Sequence, residues 1–164
     1  MILLALILAA AGVPRQDPID ATIAAIFAAE QARAAEPRHL EVLVAASGHV
    51  DTLVQRLAVR ALGRLEREEL LPRIVPLLGA AAVSVRVEAA NAIAQAAYRV
   101  DGAPAMELLM ARLATEEAAP ARGALLAAIG RLRVVSGSSP HRSALALMTA
   151  ELEHDGEHIE GALR

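Results

Sequence analysis

The densest group of side chains able to do chemistry is "ELEHDGEH", Glu151 to His158. His154 and His158, with Asp155 and Glu157 beside them, have the ligand types of a zinc or nickel site. Gly156 falls between the histidines and argues against a shared rigid helical face. The expected arrangement is therefore a solvated turn, with no metal assigned. A second group is the row Arg56, Arg60 and Arg64, spaced four apart on one face of a helix. Such a row could grip carboxylates or phosphates; the alternative is a solvated face balanced by Glu66, Glu68 and Glu69. Asn91 and Gln95 carry amides four residues apart that could hydrogen-bond an extended peptide backbone. Tyr98 is either a partner's aromatic anchor or the filler of a gap in the core. No Ser-His-Asp order, phosphate loop, dinucleotide fingerprint or zinc-protease motif is present. Gly137-Ser138-Ser139 lacks the strand and helix of a nucleophile elbow. No catalytic residue and no cofactor is expected.

Those groups must be carried on helices. Hydrophobic residues make up 55% of the 164-residue chain and aromatics 1%, so the lone Phe27 and Tyr98 cannot build an ordinary core. Ala, Leu, Val and Ile carry the apolar weight, which favours helices packed at short interaxial distance. The absence of cysteine excludes disulfides, thiolate metal sites and a cysteine nucleophile. A net charge of −3 gives no reason to expect binding to nucleic acid. The opening run "MILLALILAAAGV" is shorter than the roughly 20 apolar residues needed to span a bilayer. It fits the apolar core of a signal peptide, with Ala9-Ala10-Ala11 as the small residues of a cleavage site, although no Lys or Arg precedes it. The alternative is a buried first helix. The export reading makes the protein periplasmic or secreted, with no membrane association after cleavage. Residues 1–15 are set apart on that basis, followed by a lead helix within 16–36 and a helical array over 37–164.

Proline, glycine and aspartate punctuate the rest. Asp17-Pro18 starts a helix expected to reach about Ala35, with Ile19, Ile23, Ile26 and Phe27 on one side. A helix over "RHLEVLVAAS" stops at Gly48, and Asp51 caps the next. That helix has Val54, Ala58, Ala61, Leu62 and Gly63 along one face. The set recurs 31 residues later as Val85, Ala89, Ala92, Ile93 and Ala94, and 36 residues later again as Ala121, Leu125, Ala128, Ile129 and Gly130. Between the copies lie "LLPRIVPLLG" and "PAMELLMARLA". A last long helix begins at Ser139-Pro140 and is expected to break at His154-Asp155-Gly156.

The runs "VQRLAVRALG" and "VRVEAANAIA", with "LLPRIVPLL" before the second, resemble HEAT repeats across roughly residues 38–133. Arg86 and Arg122 match that family's arginine, whereas Gln55 departs from it. The resemblance implies an all-α protein: a short right-handed α-solenoid of HEAT-like helix pairs behind a lead helix. Each unit would bury its face by stacking on its neighbours, with Gly63, Ala94 and Gly130 permitting close approach. Ile159 and Leu163 do not look like a polar capping unit, so the chain is expected to be truncated at its C-terminus. In this family the second helices line the concave surface. Asn91 lies about 200° around its helix from the core residue Ala89 and so points outward. The two offsets place Arg60 and Ala127 in matching positions. The resulting ridge is Arg56, Arg60, Arg64, Asn91, Gln95, Tyr98 and Arg131, which suits a protein partner offering an acidic or extended peptide segment. The function implied is a non-catalytic interaction scaffold. The signal-like opening, the lead segment "IFAAEQARA" and the repeats are also similar to the front of exported bacterial cyclophilin-type peptidyl-prolyl isomerases, without their catalytic barrel. Bilin-lyase-like HEAT proteins share the repeats alone.

Overall fold

In the computed structural model, residues 18–162 are described, with side chains as far as Glu151. The signal-like opening and Asp17 lie outside the described residues. Every regular element among those described is helical. α1 spans Pro18–Gln31 and α2 Pro37–Ser47, each with proline in its first turn, where the missing N–H costs nothing. α3, Thr52–Arg64, is capped by Asp51, whose Oδ1 accepts from the backbone N–H of Leu53 (2.8 Å) and Val54 (3.1 Å). α5 covers Val83–Ala96, α6 Ala103–Leu113, α7 Ala119–Arg131 and α8 Ser139–Ala162. Between α3 and α5 the chain makes a 3₁₀ turn (Glu68–Leu70), the one-turn α4 (Leu71–Ile74) and a second 3₁₀ turn (Val75–Gly79).

Three sequence expectations are corrected here. α1 ends at Gln31, short of Ala35, because Arg33 and Ala34 take left-handed backbone conformations that turn the chain. "LLPRIVPLLG" is not one helix: Pro72 fits the first turn of α4, but Pro76 lacks the N–H that would bond the Pro72 carbonyl, so α-helical bonding lasts a single turn. α8 runs through Asp155-Gly156, because glycine weakens a helix by about 1 kcal/mol but does not exclude one. In addition, Gly48 stops α2 as expected but at φ −100°, outside the left-handed region.

The repeated apolar face is the core. Val54, Ala58, Ala61, Leu62, their counterparts Val85, Ala89, Ala92, Ile93, and the third set Ala121, Leu125, Ala128, Ile129 are all at most 1% exposed. α3 packs along α5 and α5 along α7; α2, α4 with its following turn, and α6 each pack against the next member of that row. Gly63 is where small size matters most. A Cβ there would lie 2.5 Å from the Ala92 Cα and 2.7 Å from its Cβ, so the α3–α5 approach requires glycine. Gly130 carries no such demand, since its nearest neighbour would be the Met148 methyl at 3.6 Å.

Polar contacts repeat in register with the core. Gln55, Arg86 and Arg122 each follow the first buried residue of a row helix and donate to carbonyls of the preceding turn. Gln55 Nε2 reaches Ser47 O at 2.9 Å, and Arg86 Nη1 reaches Ala80 O and Ala81 O at 2.9 and 3.0 Å. Arg122 Nη1 reaches Leu113 O and Glu116 O at 3.1 and 2.8 Å. Arg86 also grips the buried Glu116 with two bonds, 2.7 and 2.8 Å, and Arg112 adds a third at 2.6 Å. The Arg86 bonds, the Ala118 N–H and Arg112 hold the Glu116 carboxyl down at about 2 against the opposing effect of burial. The same pairing raises Arg86 above its ordinary value.

Candidate partner-binding face

α5 lies between α3 and α7 and is the most enclosed of the three, so only a narrow strip of it stays out of the core, whereas α3 and α7 are more open. From Val87 to Ala96, α5 leaves Val87, Glu88, Asn91 and Gln95 short of full burial. By the 31- and 36-residue offsets, Arg60, Asn91 and Ala127 make one rung across the three helices, and Arg64, Gln95 and Arg131 the next. All six side chains are exposed or half-buried.

The structure gathers part of the expected ridge and separates the rest. Arg131 Nη2 donates to Asn91 Oδ1 at 2.6 Å. Gln95, Tyr98 and Arg131, with Ala94 and Glu66, line a pocket of about 270 Å³. Tyr98 sits in the turn after α5 and is 52% exposed, which overturns its alternative role as core filler. Arg64 belongs to a separate pocket of about 380 Å³, lined with Phe27, Glu30, Gln31 and Arg33. Arg56 and Arg60 line neither pocket, and the Nε atoms of both are buried without a hydrogen-bond partner.

The charge balance differs from the expected one. Arg64 Nη1 pairs with Glu30 at 2.6 Å and Arg56 Nη2 with Glu88 at 3.9 Å, both across helices. Among the described ion pairs none involves Glu68 or Glu69, and Glu66 pairs with Arg99 at 2.9 Å. Phe27 was also missed as a surface residue. It is 40% exposed, because Ile26 and Ala29 make the core contact of α1 and Phe27 is turned about 100° from Ile26. The same rotation that identified Asn91 could have exposed it.

Chemically, the face offers guanidinium and amide hydrogen bonds beside two aromatic rings, and its glutamates are held in ion pairs. That suits recognition of a chain through its backbone and a few side chains. His154 and His158 of the metal candidate have side chains outside the described ones; among those described, no three metal-ligating groups converge. No helix among the described residues is long and apolar enough to cross a membrane. No protein-family model matches the sequence, and no curated protein matches it.

Proposed function

We propose that the protein is a non-catalytic scaffold, built as a short right-handed α-solenoid of HEAT-like helix pairs, that holds a protein partner along α3, α5 and α7. The observation that carries this reading is the agreement between two registers. Core residues that repeat at offsets of 31 and 36 are buried in all three copies, and the positions that the same offsets link on the outward side, Arg60, Asn91 and Ala127, stay out of the core in all three. A row of helices stacked in one register presents a continuous outer strip, which fits an extended segment better than a small molecule. The carbonyl contacts of Gln55, Arg86 and Arg122 add support, because three equivalent positions do one job.

The test is to replace Arg60 and Asn91 together by alanine and measure affinity for a partner recovered by capture on the parent protein. Both residues are outside the core, so the variant should melt like the parent. The expected result is a loss of tenfold or more in affinity. Unchanged affinity in a folded double variant would move the site off this face.

A further inference from the structure

The C-terminal ends of α1, α3, α5 and α7 carry arginine in every case: Arg33, Arg64 with Arg67, Arg99, and Arg131 with Arg133. Glu30 and Glu66 are the carboxylates lining the two pockets at this edge, and each is already paired, with Arg64 and Arg99 respectively. No carboxylate among the described residues pairs with Arg33, Arg67 or Arg131, whereas Arg133 lines a separate pocket against α8. Arg33 instead donates to the carbonyls of Arg64 and Leu65, and Arg67 to that of Arg33, which fixes guanidinium groups at the rim. Of the acids just beyond, Glu36 pairs with Arg38 and Asp101 accepts from the Ala103 N–H, while Glu68 and Glu69 stand exposed on the 3₁₀ turn that follows Arg67. The only two aromatic residues of the chain, Phe27 and Tyr98, stand at this edge, one in each pocket and both exposed.

Resting on the scaffold reading above, we propose that this edge binds an acidic peptide in extended form, with one apolar side chain for each aromatic pocket. One pocket lies between α1 and α3, and the other around α5 towards α7. By the order of the helices that carry them they are one and a half to two helix spacings apart, roughly 12–20 Å at 8–10 Å per spacing. An extended chain rises roughly 3.3 Å per residue, so the two apolar side chains belong about four to six positions apart. The unpaired arginines supply the attraction for the acidic residues between and around them.

The probe is a fluorescein-labelled peptide of Asp, Glu and Ser bearing two leucines six positions apart. Its controls are the same peptide with leucines two apart, a counterpart with Lys for every acid, and a single-stranded oligonucleotide of equal charge. The acidic six-spaced peptide should bind, the two-spaced one about tenfold more weakly, and the lysine counterpart not at all. Phe27→Ala and Tyr98→Ala should each weaken binding by about tenfold while melting like the parent, since both rings are exposed. Equal binding of the oligonucleotide would overturn the peptide assignment, as would failure of the acidic peptide to bind. Binding lost in the Arg60→Ala, Asn91→Ala variant but intact in both aromatic variants would overturn this proposal and leave the scaffold reading standing.

Discussion

At the scale of single residues, backbone geometry shows which side chains are held in place against a cost. Arg33 and Glu66 both adopt φ near +54°, at the ends of α1 and α3, where glycine would be unstrained. Both are fastened by their side chains, Arg33 to two carbonyls and Glu66 to Arg99. Glycine has the opposite significance at two other positions. At Gly63 an added methyl would meet the Ala92 backbone, whereas at Gly123, inside α7, nothing lies within 4 Å. Gly63→Ala should therefore destabilise the fold by about 1–3 kcal/mol through overpacking. Gly123→Ala should stabilise it by about 0.4–1 kcal/mol by restricting the unfolded chain. Denaturant melts of the two variants decide the matter, and a neutral Gly63→Ala would mean that α3 and α5 do not approach as closely as described.

At the scale of elements, the Arg86–Glu116–Arg112 cluster ties α5 to the end of α6 and the start of α7. The folded Glu116 titrates near 2 against an ordinary 4.5, so its contribution is fully present above pH 4.5 and is lost as pH falls towards 2. The shift corresponds to about 3 kcal/mol at most. Glu116→Gln should lower stability at neutral pH by an amount of that order and flatten the fall in stability between pH 5 and 2. Parallel stability–pH curves for parent and variant would show that the cluster holds nothing together. Much of the element order was legible because Pro18, Gly48, Asp51 and Pro140 punctuate the chain with specific backbone chemistry. The failures occur where local signals compete. Pro72 and Pro76 lie in one apolar run, and only the packing of Ile74 and Leu78 against their neighbours settles how the backbone bends. Gly156 carries a helix-weakening preference that the long α8 overrides. The outward strip could be derived from rotation about each helix. The pairings Arg64–Glu30 and Arg56–Glu88 could not, because they join helices whose relative placement is a tertiary fact.

At the scale of the whole molecule, two economies stand out. All 16 basic residues are arginine, and several serve as connectors to main-chain carbonyls, a task to which the multi-donor guanidinium is better suited than an ammonium. The core is built from aliphatic side chains, which leaves both aromatic rings free for the surface. The chain is net negative, yet its unpaired arginines collect along one edge of the helix row, so an acidic partner would be drawn to that edge. The central proposal is that a partner lies along the outward strip of α3, α5 and α7 and its adjoining edge. Site-specific photo-crosslinking tests it most directly, with the photoreactive residue placed at Asn91 or Tyr98 on the face and at Glu107, exposed on α6, as the contrast. Crosslinks to a captured partner should form from positions 91 and 98 and be absent from 107. Crosslinks from 107, with none from 91 or 98, would contradict the account.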